Sequence, residues 1–168
     1  MKDQSAPQLP PQAQIAQDLP RLVERMHRRY LDVVRIELAR RGFNDISPVQ
    51  AMMLGTIGGE EISVRDLVER GYYLGSNASY NLKNLVDGGY VNRQASTRDR
   101  RSALLKLSAK GREILESLAK LNMQMAESML KNEQEGRDLE ATQQTLRRLE
   151  RRWTDSIRSE ARDEEIEF

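Results

Sequence analysis

Leu74-Gly75-Ser76-Asn77-Ala78-Ser79-Tyr80-Asn81-Leu82-Lys83-Asn84-Leu85 is the stretch on which the fold turns, and Thr97-Arg98-Asp99-Arg100-Arg101 follows it closely. At about 100° per residue, an inward Leu82 carries Ala78, Leu85 and Val86 to its own side of a helix. Ser76, Asn77, Tyr80, Lys83, Asn84 and Asp87 then lie opposite, with Ser79 on the flank. An ordinary solvated face is built mainly from Glu and Lys, whereas this one offers hydroxyls, amides and a phenol. Asn can pair bidentately with adenine and Ser suits base or phosphate, so Ser76, Asn77, Ser79, Tyr80 and Lys83 are predicted to enter a major groove. The second segment reads as a basic turn between two strands. There Arg98, Arg100 and Arg101 would serve the minor groove or flanking phosphates, and Asp99 would brace the turn through Arg101. A hairpin tip needs polarity, but it does not need three arginines.

Working outward, the punctuation fits a helix-turn-helix with a wing. Ser47-Pro48-Val49-Gln50 predicts a helix start, with Ser47 as cap, Pro48 in the first helical position and Gln50 closing a capping box, and Gly58-Gly59 ends it. Ser63 caps a third helix, with Asp66 three residues on and Gly71 as its end, and Gly88-Gly89 stops the fourth. Beyond Gly89, Val91, Arg93 and Ala95 alternate with Tyr90, Asn92 and Gln94, and Leu105 and Leu107 share a face past the arginine turn. This predicts a two-stranded hairpin, with Ser108 capping the helix after it.

The flanks are helical. A stripe from Leu19 through Met26 and Tyr30 to Leu38 predicts a first helix over about 18–41, with Asp18 as cap and Pro20 in its first turn. After a polar break at 132–138 containing Gly136, Leu139, Leu146 and Trp153 recur at seven, interleaved with Thr142, Leu149 and Ser156, close to an a/d seam.

Composition agrees. The 168 residues are 32% charged and only 5% aromatic, which suits long solvated helices whose core a second copy completes. The net charge is +1, so any affinity for nucleic acid must come from local clustering. From Ser76 to Arg101 there are five basic residues against two acidic ones, an excess greater than that of the whole chain. The absence of cysteine removes disulfides, thiolate zinc sites and thiol redox switches. His27 is the lone histidine, too few for a metal sensor or a catalytic triad, and there is no phosphate loop or nucleophile elbow. No enzyme, cofactor or metal is expected. No signal-peptide or membrane-spanning run is seen, which predicts a cytoplasmic protein without a membrane partner.

The block from Ile46 to Leu118 resembles the MarR family of bacterial transcriptional regulators. The resemblance rests on Ser47-Pro48-Val49-Gln50, Ser63-Val64-Arg65-Asp66-Leu67, Leu85-Val86-Asp87-Gly88-Gly89-Tyr90-Val91-Asn92-Arg93, Asp99-Arg100-Arg101-Ser102 and Leu107-Ser108-Ala109-Lys110-Gly111, in that order and spacing. It implies a mainly α fold with a small β-wing. The expected organisation is a flexible arm (1–14), a dimerisation helix (15–45), the winged helix-turn-helix lobe (46–108), C-terminal dimerisation helices (109–162) and an acidic, frayed tail (163–168). It also implies a homodimer on a pseudo-palindromic stretch of double-stranded DNA, a repressor released by a small effector, aromatic or anionic. Met26, Tyr30, Met53 and Tyr73 are the residues proposed to line that effector's cavity, although plain helix packing would use them too. The competing reading is a helical dimeric protein-interaction module that binds no specific DNA. Single-stranded RNA fits less well, because the strands lack stacking aromatics.

Overall fold

In a computed structural model, residues 11–71, 73, 75–95 and 103–166 are described. The chain divides after Leu121 into two units. The first unit opens with α1 (Pro11–Arg40), followed by α2 (Pro48–Ile57), β1 (Ile62–Ser63), α3 (Val64–Gly71), α4 (Gly75–Asp87), β2 (Val91–Ala95) and β3 (Ala103–Leu107), and ends within α5 (Ala109–Met129). The second consists of the rest of α5 and α6 (Glu133–Ile166).

The predicted caps are formed. Ser47 Oγ accepts from the Gln50 amide at 3.2 Å while Gln50 Oε1 accepts from the Ser47 amide at 2.9 Å, so two otherwise unpaired donors of α2 are satisfied reciprocally. Ser63 and Asp66 repeat the arrangement on α3, with Asp66 N donating to Ser63 Oγ at 3.0 Å and Ser63 Oγ donating to Asp66 Oδ2 at 2.8 Å. Ser108 Oγ accepts from Gly111 N at 3.1 Å and donates to the Gly89 carbonyl at 2.7 Å, tying the start of α5 to the turn that ends α4. Gly58 and Gly89 adopt φ of 70° and 74°, left-handed values that stop α2 and the α4 turn at little steric cost.

Four expectations need correction. The first helix begins at Pro11, not near Asp18, and Pro20 lies inside it. Pro11 has no donor to lose in the first position, and the exposed backbone around Pro20 tolerates one missing hydrogen bond. The sheet has three strands in the order β1-β3-β2, all antiparallel, because Ile62 and Ser63 pair with Leu105 and Leu104. The break before the last helix is short, since Asn132 Oδ1 accepts from Glu135 N at 3.0 Å and Gly136 falls in the first turn of α6. That helix also runs through the acidic tail to Ile166.

The core of the first unit gathers Val34 and Leu38 of α1, Met53, Leu54 and Ile57 of α2, Leu67 of α3, Leu82 and Leu85 of α4, Leu105 and Leu107 of β3, and Ile114 and Leu118 of α5. Each such side chain contributes about 1.5–3 kcal/mol by leaving water. The β2–β3 register sets Val91 against Leu107 and Arg93 against Leu105, so the wing base is apolar inside and cationic at its margin. In the second unit, Leu139, Leu146 and Trp153 line α6 at the predicted spacing and remain substantially exposed. The seam hydroxyls of Thr142 and Ser156 bond back to carbonyls four residues earlier, at 2.7 and 3.1 Å, which leaves no unmet donor there. No helix among the described residues is long and apolar enough to cross a membrane.

Candidate nucleic-acid interface

Burial of Ala78, Leu82 and Leu85 fixes the rotation of α4. Ser76, Asn77, Ser79, Tyr80 and Lys83 are all exposed on the other side, and Tyr80 holds 67% of its surface in solvent although it is aromatic. About two thirds of Tyr80 is left uncovered by its own chain, and that surface is available to a partner. The first turn of α4 contains no acidic residue. The partial positive charge of that helix end is therefore not neutralised locally, which suits an approaching phosphate.

Lys83 is not free. Its ammonium pairs with the Asp87 carboxylate one turn further along, and the hydrogen bond and charge of Asp87 raise its pKa. Both side chains are largely solvated, at 74% and 59% exposure, so the pair exchanges readily for another partner. Beside them, Val64 of α3 and Leu82 floor a cleft of about 220 Å³ rimmed by Ser79, Lys83, Asp87 and Arg93. Arg93, at the base of the wing, has no hydrogen-bond or ion-pair partner among the described residues. Sequence reasoning counted its charge without assigning it to the interface. Its place opposite the buried Leu105 could be read only once the strand register was known. Arg98, Asp99, Arg100 and Arg101 lie outside the described residues.

A second set of contacts holds the lobe together. Tyr90 is 1% exposed, and its hydroxyl donates to Asp45 in the loop before α2. Lys110 Nζ donates to the other Asp45 oxygen at 2.8 Å and to the Gly88 carbonyl at 3.2 Å, and sits 4.0 Å from the centre of the Tyr90 ring. The hydrogen bond from Lys110, then that from Tyr90, hold the Asp45 carboxyl below its usual range. This network joins the end of α4, the start of the wing and the first turn of α5.

Of the residues proposed for an effector cavity, Tyr30, Met53 and Tyr73 belong to or pack against the one core, with Met53 wholly buried. Met26 is not in that cluster and stands exposed on α1. Tyr73 Oη and Thr56 Oγ1 are 3.3 Å apart, a long hydrogen bond. His27 is exposed, and among the described residues no group of three or more His, Cys, Asp or Glu could hold a metal.

Comparison with known proteins follows the same geometry. A sequence profile described as MarR family matches residues 44–102, from just before α2 to the residue preceding β3. The exopolysaccharide II synthesis transcriptional activator ExpG of Rhizobium meliloti (strain 1021) is 45% identical over 141 residues, covering 84% of this chain and 73% of the relative. Streptococcus pneumoniae FabT, solved in complex with DNA, superposes with a TM-score of 0.62 at 27% identity, over 79% of this chain and 99% of that one. A MarR transcriptional regulator from Methanosarcina mazei Go1 gives a TM-score of 0.67 at 19% identity, over 79% and 96% of the two chains, a likeness of fold.

Proposed function

The chain belongs to the MarR family of DNA-binding transcriptional regulators, and from that premise we propose that it binds a pseudo-palindromic operator as a homodimer. The observation that carries this reading is the exposed polar face of α4, held outward by Ala78, Leu82 and Leu85. Ser76, Asn77, Ser79, Tyr80 and Lys83 enter the major groove, Arg93 flanks them, and Arg98, Arg100 and Arg101 grip the backbone or the minor groove with Asp99 as their brace. Dimerisation is supported by the open seam of Leu139, Leu146 and Trp153 and by the exposed Leu22 and Met26 of α1. The segments 15–45 and 109–162 supply those contacts, and the lobe 46–108 meets DNA.

The direction of regulation depends on where an operator lies relative to a promoter, not on the lobe. The family resemblance alone suggested repression, but the 45% identical relative is named as an activator. We take activation as the better-supported direction here, and a promoter-fusion reporter with and without the protein decides it. A small aromatic or anionic effector is proposed to enter beside Tyr30 and Tyr73, over the buried Met53 and towards Met26, replacing the long Thr56–Tyr73 hydrogen bond. Such a regulator works in the cytoplasm, beside the chromosome.

Selection from random-sequence duplexes at two salt concentrations tests the reading. An enriched inverted repeat with half-sites about one helical turn apart supports it. Salt-sensitive binding without enrichment would overturn sequence specificity. The pairing of Lys83 to Asp87 favours one alternative, a helical dimeric protein-interaction module that binds no specific DNA. Absence of salt-dependent retention on bulk DNA would select that alternative.

A further inference from the structure

The Lys83–Asp87 pair is poorly placed to stabilise its own helix. Asp87 is the final residue of α4, whose last turn carries no basic residue, and a carboxylate there opposes the helix dipole. The order, cation first and anion four residues later, is also the weaker of the two for a helical pair. Both residues are mostly solvated, so burial contributes little. The acid nevertheless stands on the face that meets DNA, on the rim of the cleft shared by Lys83, Ser79 and Arg93. A carboxylate facing phosphate lowers affinity unless it performs another task.

We propose that Asp87 is a positioning residue that makes Lys83 read a base instead of a phosphate. Lysine carries a compact charge on a long flexible stem, so unrestrained it settles on whichever phosphate is near. Its three donors allow it to keep Asp87 and donate to a second acceptor at the same time. Held by Asp87 along the axis of α4, the ammonium is kept from ranging to the phosphates on either side and stays over the helix face. From there, in a major groove, the O6 and N7 acceptors of guanine are within its reach. On an unrelated duplex the same tether keeps Lys83 from a phosphate, and non-specific affinity falls. Asp87 thus sharpens discrimination by withholding a cation. The inference rests on the reading of α4 as the DNA-contacting helix.

The test titrates the full-length parent, D87N, D87E, K83M and the D87N/K83M double variant. Each is measured on the strongest duplex from the random pool and on a scrambled version, at roughly 50 and roughly 200 mM salt. Freeing Lys83 adds one phosphate contact on the scrambled duplex, so D87N should bind it more tightly, with a log–log salt slope steeper by about 0.9. The advantage of D87N over the parent should then shrink about threefold across that fourfold salt range. Selection repeated with D87N should lose its guanine preference at one position of each half-site, and D87E should keep the parent's behaviour. In the K83M background only the carboxylate's repulsion of phosphate is relieved, so D87N should gain much less than it does with Lys83 present.

Equal slopes and affinities for the parent and D87N on the scrambled duplex would overturn the proposal. A gain as large without Lys83 as with it would overturn it too, assigning Asp87 to plain repulsion of phosphate. If K83M leaves binding to both duplexes unchanged, Lys83 has no part in DNA contact, and the reading of this part of α4 fails together with the proposal.

Discussion

Ser117 Oγ donates to Glu37 Oε1 at 2.8 Å, joining α5 to α1 across eighty positions of sequence in a buried contact. The carboxylate also accepts from Arg40 at 2.8 and 2.9 Å and from Arg41 at 3.0 Å. Burial, the largest single influence on Glu37, pushes its pKa up, but the hydrogen bonds from Ser117, Arg40 and Arg41 together outweigh it, and the pKa is lowered. The group therefore stays ionised although it is only 6% exposed. Replacing Glu37 by Ala should destabilise the protein by about 2 kcal/mol, because the Ser117 hydroxyl is left buried without its acceptor while the arginines return to water. Arg40→Ala should cost under about 0.5 kcal/mol, since that side chain is already mostly solvated. Urea unfolding at one fixed protein concentration measures both, and equal losses would contradict this division.

The acid limb of stability should report Asp45. Its carboxyl is held below the usual range by Lys110 and Tyr90, so the folded state binds its proton less readily than the unfolded chain. That contribution is complete above the ordinary carboxylate pKa of about 4 and is lost as pH falls through the lowered value. The urea midpoint of the parent should decline below about pH 4 more steeply than that of Asp45→Asn. At neutral pH the variant should be weaker by no more than about 1 kcal/mol, because Asp45 is largely solvated. Parallel acid limbs would remove Asp45 from the account.

Two helical glycines should respond oppositely to alanine. A Cβ at Gly111 would lie 2.3 Å from the Tyr90 carbonyl oxygen, so α5 could not keep its seat against the wing base. Gly111→Ala should cost about 2 kcal/mol despite alanine's better helix propensity. Gly136 has open space around it, and Gly136→Ala should gain up to about 1 kcal/mol. Thermal unfolding of the two variants gives the signs directly.

At the interface, Arg101→Ala should weaken binding to every duplex alike and lower the salt slope by about one. Asn77→Ala and Tyr80→Ala should instead change which sequences are enriched. An unchanged slope in the first, or unchanged preferences in both of the others, would displace these residues from the roles proposed for them.

Trp153→Glu should separate the proposed dimer, since it sets a charge in the apolar seam of α6. Sedimentation should show a single chain. Operator affinity should fall by at least about a hundredfold, because the second half-site is no longer tethered to the first. A variant that stays dimeric would place the interface elsewhere.

The elements that could be read from sequence are those whose ends are set by local chemistry. Ser47 with Gln50, Ser63 with Asp66, and Ser108 with Gly111 each form within four residues, so their spacing predicts their bonds. β1 has no such signal, since two residues carry no period and Ile62 becomes a strand only because Leu105 lies beside it. Glu37 was equally opaque: followed by Arg40 and Arg41 it resembles a surface charge cluster, and its burial depends on Ser117 arriving from α5. On α4 the exposed polar face could be deduced from the apolar period, but the pairing of Lys83 with Asp87 required the side chains themselves. The acidic run of the tail suggested fraying, whereas α6 extends to Ile166.

The ring of Tyr73 rests against Gly71 so closely that a Cβ there would fall 2.0 Å from Cε2. Any larger residue at this position must evict the ring, and with it the Tyr73 contact to Thr56 on α2. The connection between the two short helices is thus keyed by a carbon that is missing. A single methyl group on Gly71 would be felt in the helix before its own, where Thr56 would lose the hydroxyl it faces.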